Sequence, residues 1–418
     1  MKWQDIKHCE EADVYQREQL AGKIIRTKEG SLFRYNEAYL EQLKQSGRKS
    51  GIAYNLSPDK AEHQTKGSNL HPYFAGLLPE GLRLKAIVKN VKTSEDDLLS
   101  ILIAAGADCI GDVSVIAGGQ LPSEFPPSAD VENLQTVKFS DLFDQSIYFS
   151  DKTGPSTEAS IPGIQEKISA GMISFPLKGK KGRGLFILKL SNPRNPKIVE
   201  NEHFFMSMGK ACGLEVASTS IVRDIDGNPG LLVERFDRQY DKTSNHHVRV
   251  HQEDACQFLD VYPSEKYRVP TSRIAEGLER FSNIPILDIG KMIRLVAFSY
   301  LVGNGDLHAK NISIATNPIT GEVSMTPAYD IVSTIPYADQ KMALKFEGRD
   351  DNLKGSDFVN FGERYGVKKA AVKSILEELN ELSRTFVDRV GEIGMDKKQT
   401  EHLGRVLSKR REDLIAGI

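Results

Sequence analysis

The sequence predicts an α+β chain in which a strand-rich region precedes a helical one. Three observations carry this. Between residues 150 and 250, short apolar runs alternate with Gly- and Asp-marked turns, the pattern of strands. From residue 251 onward, apolar residues recur at helical spacing. A stretch rich in Pro, Gly, Ser and acids at 118–136 sets off a further module before both.

The composition bounds the answer. With 418 residues, 39% hydrophobic and 27% charged, the chain can fill roughly two or three packed units. That balance excludes disorder as the main state. A net charge of −2 supplies no global field toward nucleic acid or acidic membrane. The four cysteines, Cys9, Cys109, Cys212 and Cys256, lie far apart with no CxxC pair, which points to a reducing compartment. The polar start, MKWQDIKHCEEADVYQ, does not read as a signal peptide, and no run of 18 apolar residues appears. A cytoplasmic protein without membrane contact is expected.

The elements follow in order. In the first module (1–125), LAGKIIRTKEGSLFRYN reads as a hairpin turning at Glu29-Gly30. HPYFAGLLPEGLRLKAIVKN mixes a punctuated loop with a helix. Thr93 and Asp96 form a capping signal for the apolar run 98–105, which stops at Gly106, and CIGDVSVIAGG reads as a strand. A linker is placed at 126–149. In 150–250, KISAGMISFPL and GRGLFILKL read as strands around a Gly/Lys tip, and ENEHFFMSMGKACGL as a helix closed by Gly213. Two further strands follow, joined at Asp226-Gly227. The last region, 251–418, opens with HQEDACQFL, read as a helix with acids in its first turn. It continues with one stripe of Ile289, Met292, Ile293, Val296, Ala297, Tyr300 and Leu301, and another of Val372, Ile375, Leu376, Leu379, Leu382, Phe386 and Val390. The carboxy-terminal LSKRRED reads as a solvated helix face, with a phosphate-contacting patch as the lesser reading.

The most informative stretch is LVGNGDLHAKNISI (301–314), followed by PAYDIVST (327–334). Phosphoryl transfer requires an acid that orients the attacking hydroxyl and oxygen ligands for Mg²⁺ against the phosphates. Asp306 lies five residues before Asn311 in the D-L-x-x-x-N order of a phosphotransfer loop, and Asp330 stands where the later metal-binding Asp belongs. Lys310 is expected near the transferring phosphate, where its charge would offset developing negative charge. The alternative is a polar connection between helix and strand; the joint occurrence of the three residues argues against it. Lys189 interrupts the apolar run LFILKL and needs an anion if buried. A phosphate and a helix glutamate would serve, Glu202 first and Glu200 as fallback; an edge-strand lysine snorkelling to water is the bland reading. STEASIPGIQEKISA (156–170) is a small-residue loop before a strand, neither GxGxxG nor Walker A. LLVERFDR (231–238) ends a strand where a hinge between lobes would offer backbone groups of Glu234 and Phe236 to an adenine edge. No zinc-spaced cluster and no G-x-S-x-G elbow appears.

The ordered series LFRYN, LLPEG, SIPGIQEK, ILKL, NEHFF, KACGL, VERFDR, HQEDACQ, GNGDLHAKN and YDIVS resembles the HipA-type serine/threonine kinases, toxins of bacterial toxin–antitoxin modules. The resemblance implies a two-lobed protein-kinase-like fold, a mixed β/α N-lobe with an extra amino-terminal subdomain and an all-α C-lobe. It implies ATP and Mg²⁺ as cofactors, Asp306 as catalytic base, His308 and Tyr329 against nucleotide, and Asn311 and Asp330 on metal. It puts Lys189 on the ATP phosphates, Glu202 as the lysine's partner, and Glu234, Arg235 and Phe236 at the adenine hinge. Pro162, Gly163, Ile164, Gln165, Glu166 and Lys167 correspond to the family's phosphate loop. Pro162 departs from the alanine common there and lacks an N–H donor. Ser160 falls on the family's autophosphorylated serine, with Ser156 and Thr157 as neighbours. A phosphate there would place negative charge beside the ATP phosphates and inhibit.

Three functions compete at this stage. The first is a growth-inhibiting protein kinase acting on a translation component such as an aminoacyl-tRNA synthetase. It would pair with a helix-turn-helix antitoxin and meet DNA only through it. The second is a small-molecule phosphotransferase of the aminoglycoside/choline kinase type, which uses a similar GDLHxxN loop. The third is a non-catalytic co-repressor subunit. LLPEG and SIPGIQEK favour the first over the second, and intact Asp306, Asn311, Asp330 and Lys189 disfavour the third.

Overall fold

A computed structural model describes residues 3–47, 50–67, 69–122, 129–142, 173–178, 185–191, 195–241 and 246–418. The amino-terminal module is built on a five-stranded antiparallel sheet: β1 (Glu11–Gln16), β2 (Gln19–Thr27), β3 (Gly30–Tyr35), β4 (Glu62–Lys66) and β5 (Val113–Ala117), in spatial order β4-β3-β2-β1-β5. Thr27 pairs with Gly30, so Lys28 and Glu29 are the turn, and Gly30 opens β3 rather than completing the turn. Gly30 is required: its φ is 151°, and a Cβ there would meet the Thr65 carbonyl oxygen at 2.1 Å. The helix Leu98–Ala105 forms where its apolar run predicts, but Asp97 is its cap, accepting from the Ser100 N–H at 3.4 Å. Thr93 instead donates to Asp97 at 2.5 Å. The module has its own core, with Val14, Ile24, Phe33, Tyr39, Phe74, Leu102 and Val115 buried.

A second sheet follows, with β6 (Ala129–Asp130), β7 (Ile173–Lys178), β8 (Leu185–Leu190), β9 (Thr219–Arg223) and β10 (Pro229–Glu234) in the order β6-β7-β8-β10-β9. The helix Ile198–Ala211 packs on β9 and β10, with Val199, Phe205, Met206 and Met208 buried in the core, and Gly213 closes it with φ 79°. A hairpin of β11 (Arg238–Asp241) and β12 (His246–Arg249) leads out of this lobe.

The last region is mostly helical but not wholly so, a correction to the all-α expectation. β13 (His251–Asp254), β14 (Ser313–Thr316) and β15 (Val323–Met325) form an antiparallel sheet beside the helices. HQED is therefore strand, and only Ala255–Phe258 is helix, capped by Asp254. Helix periodicity failed there because all four residues of β13 are buried, so the strand carries no alternation to read. The helix Pro285–Val302 buries all seven residues of its predicted stripe. In Lys369–Val387, Val372, Leu376 and Leu379 are buried while Leu382 is 44% exposed.

Candidate active site

β8 runs between β7 and β10, which sets Lys189 in the middle of a sheet. Lys189 is 8% exposed, and its Nζ donates to Glu202 Oε1 at 2.7 Å. Glu202, on the helix Ile198–Ala211, is 1% exposed. An ammonium and a carboxylate this deep are tolerable only as partners. Glu200 is not the partner; it pairs with Lys197 at 2.9 Å. The same ammonium donates to Asp330 Oδ1. Asp330 has a left-handed backbone (φ 56°), a conformation an aspartate tolerates better than most residues. Asn311 Nδ2 donates to Asp330 Oδ2 at 3.2 Å, while Asn311 Oδ1 accepts from the His308 N–H at 3.0 Å. Thus Lys189, Glu202, Asn311 and Asp330 form one connected cluster.

Asp306 belongs to the same loop. Gly303 (φ 69°) ends the helix Pro285–Val302, and Asn304 Oδ1 accepts from the Asp306 N–H at 3.0 Å. Thr334 ties this loop to the Asp330 segment: its N–H donates to the Gly303 carbonyl at 2.9 Å, and its Oγ1 accepts from the Gly305 N–H at 2.9 Å. Asp306 is exposed, and its Oδ1 accepts from the Tyr267 hydroxyl at 2.8 Å. The His308 ring lies edge-on to Tyr267, with centroids 5.1 Å apart. Burial pushes His308 down to about 4 against the opposing pull of Asp306, so it is neutral at pH 7.

Tyr329 shares a 2.6 Å hydrogen bond with Ser313 and donates to the Lys310 carbonyl at 2.7 Å; its ring stands 5.8 Å from Phe236. These rings lie where β10 leaves the sheet, the expected hinge. The N–H of Glu234 donates to the Ser218 carbonyl and that of Arg235 to the Leu185 carbonyl, so neither is offered to an adenine. The Arg235 side chain is engaged elsewhere. It is buried against Asp108 (2.7 Å) and Asp237 (2.8 Å), and ties the two modules together.

Lys310 also departs from expectation. Its ammonium does not face the Lys189–Asp330 cluster. It donates to the Gly76 carbonyl at 2.9 Å and lies 3.2 Å from Glu80 Oε1 and 3.8 Å from Asp254 Oδ2. The tight turn Ala309–Asn311 explains this: Asn311 turns inward to Asp330 and its neighbour turns to the amino-terminal module. Ser160, Ser156, Thr157 and the loop residues Pro162 to Lys167 lie outside the described residues.

Two functional-site residues were missed in the sequence. Tyr267 sits in a Pro-punctuated segment with no motif, and only proximity in space reveals its bond to Asp306. Asn201 donates to the Ser333 carbonyl at 3.0 Å and accepts from its N–H at 2.9 Å, anchoring the segment after Asp330 to the Glu202 helix. Its place beside Glu202 in NEHFF was the one available signal.

Residues 12–116 match the HipA N-terminal domain, and residues 159–386 match the HipA-like C-terminal domain. The chain belongs to the HipA family. Y4mE of Sinorhizobium fredii is 29% identical over 89% of this chain and 89% of its own. The serine/threonine-protein kinase toxin HipA of Shewanella oneidensis is 24% identical over 85% of this chain and 83% of its own. A chain in the solved complex of HipA, HipB and operator DNA from Shewanella oneidensis superposes with a TM-score of 0.71 at 20% identity, covering 96% of both chains. That likeness shows the kinase-like α+β fold of HipA. Among the described residues, no helix is long and apolar enough to cross a membrane. None of them forms a cluster of three or more His, Cys, Asp or Glu suited to a metal. The oxygen set here is one carboxylate and one carboxamide, Asp330 and Asn311. These hard donors fit a Mg²⁺ that takes its remaining ligands from phosphate and water.

Proposed function

We propose that this HipA-family chain is an ATP- and Mg²⁺-dependent serine/threonine protein kinase that acts as a growth-inhibiting toxin. One observation carries the reading: the buried Lys189–Glu202 pair meets Asp330 and Asn311 beside the loop of Asp306. Asp330 and Asn311 would hold the metal, which when bound supplies positive charge against the phosphates. Lys189, held by Glu202, presents its ammonium on the same side, where a phosphate oxygen would compete with Asp330 for it. Tyr267 holds one oxygen of Asp306, so the other is the one offered to an acceptor hydroxyl. Phe236 and Tyr329 would flank the adenine, and the loop 162–167 would cover the phosphates.

The protein substrate proposed from the family resemblance is a translation component such as an aminoacyl-tRNA synthetase. The Shewanella relative is solved with HipB and operator DNA. This chain, with its net charge of −2, would reach DNA through a helix-turn-helix antitoxin rather than by its own field. A cytoplasmic location follows from the same role.

Incubation of the chain with γ-labelled ATP, Mg²⁺ and lysate tests the reading. Label on protein, lost in Asp306→Asn, is expected; label only on a small metabolite would replace the proposal with a small-molecule phosphotransferase. Ser160→Ala is expected to abolish label on the chain itself while leaving nucleotide binding unchanged; persisting label would reject Ser160.

A further inference from the structure

One carboxylate of the amino-terminal module, Glu80, bridges two lysines beside the active loop. Glu80 stands at the N-cap of the helix Gly81–Val91, yet its side chain makes no capping bond to that helix. Its Oε2 pairs with Lys266 at 2.6 Å and its Oε1 with Lys310 at 3.2 Å. The two lysines belong to one layer, because the Ala309 N–H donates to the Lys266 carbonyl at 3.0 Å. Each is one residue from a group that touches the site. Lys266 precedes Tyr267, which holds Asp306; Lys310 precedes Asn311, which holds Asp330.

We infer that Glu80 is a positioning residue for phosphotransfer, holding Asp306 and Asn311 in register through Lys266 and Lys310. The inference rests on the kinase reading above. The electrostatics agree with the geometry. Burial disfavours the charged form of Glu80, but the two lysines outweigh it and hold the carboxyl down to about 2, so the clamp is charged at neutral pH. Two features separate this role from simple stabilisation. The Glu80 side chain is 50% exposed, so neutralising it leaves no cavity. Lys310 also keeps Gly76 and Asp254 as partners when Glu80 is gone. What is lost is the charged bridge between the two ammonium groups.

Glu80→Gln tests this in the full chain. The readouts are the maximal rate of label transfer from γ-labelled ATP, the half-saturating ATP concentration and the melting temperature. The maximal rate is expected to fall on the order of tenfold, as small misplacements of reacting groups do. Half-saturation is expected to stay within about twofold, because neither lysine's ammonium contacts Lys189, Phe236 or Tyr329. Melting is expected to stay within about 2 °C, since a half-exposed ion pair contributes little to stability. Lys266→Met should reproduce the split, and the pair Glu80→Gln with Lys266→Met should be no slower than the slower single variant, the signature of one shared interaction. An active wild type whose Glu80→Gln variant keeps its maximal rate overturns the inference and leaves the kinase reading standing. A rate loss accompanied by equal loss of ATP affinity or a large drop in melting temperature also overturns it, in favour of a structural role. A wild type that transfers no label overturns the kinase reading and this inference with it.

Discussion

Replacing Lys189 by Met leaves Glu202 buried without its cation, and the size of the effect can be worked out. Glu202 is 1% exposed, its Oε1 is held by Lys189 at 2.7 Å, and its Oε2 has no hydrogen-bond partner among the described residues. Removing one partner of such a pair costs about 3–5 kcal/mol. A ceiling exists, because an ordinary glutamate can take up a proton at pH 7 for roughly 4 kcal/mol. Asp330 adds little, since its side chain is 42% exposed and Asn311 remains bonded to it. The expected loss is therefore about 3–4 kcal/mol. For a cooperative unit of 418 residues, with an unfolding entropy of about 2.1 cal/mol/K per residue, that lowers the melting temperature by roughly 3–5 °C. Lys189→Met combined with Glu202→Leu removes both charges and should recover most of the loss, while phosphotransfer stays silent. Differential scanning calorimetry of wild type, single and double variants measures this. A single variant that melts with wild type, or a double variant less stable than the single, would refute the buried-pair argument.

Two further outcomes follow from the geometry. Tyr267→Phe removes the hydroxyl that holds Asp306 Oδ1 and should lower the maximal rate of label transfer about two- to tenfold, the worth of a net hydrogen bond of about 0.5–1.5 kcal/mol at an exposed group; titrating ATP in the same assay should give unchanged half-saturation. His251 carries a pH dependence. Burial alone would lower it, but Asp112 (2.9 Å) and Glu253 (3.1 Å) reverse this and raise it to about 10. A base raised on folding stabilises fully below its unfolded value, about 6.5, and loses that contribution as pH rises through its folded value. Melting temperature should therefore decline between about pH 7 and 10, and His251→Gln should flatten the decline; a slope unchanged in that variant would exclude His251 as its source.

Much of the chain was legible because local chemistry and global fold agree. The Pro285–Val302 stripe is buried on every side its period marks. The lysine in LFILKL found the glutamate its burial demands about one turn into the next helix. The misreadings share a cause. His251–Asp254 looked helical because its acids suit a first turn, yet it is a strand paired with β14, and all four of its residues are buried. Arg235 and Lys310 lie beside candidate site positions in the chain, and the family resemblance assigned the first to the site, motif spacing the second. Their side chains point away from it, to Asp108 and Glu80, more than a hundred residues distant in sequence. Spacing reports where the backbone goes; it carries no record of which face a neighbour in a tight turn will take.

Those two side chains change how the amino-terminal module is understood. Arg235 and Arg238 both reach Asp108, Asp237 accepts from the Gly111 N–H, and His251 bonds Asp112. Tyr54 donates its N–H to Glu253, and Asn55 donates to the Gln257 and Phe258 carbonyls. Most of these groups are buried, and a buried charge deprived of its partner is strongly destabilising. Pulling the module away would strand charges on both sides of the boundary at once: arginines and a histidine on the lobes, aspartates on the module. Separation is thus opposed by electrostatics as well as by packing, and the module and the lobes should unfold as one cooperative unit. The loop bearing Asp306 and Asn311 lies against this same boundary, so its geometry depends on a part of the chain that contributes none of the residues proposed to bind phosphate.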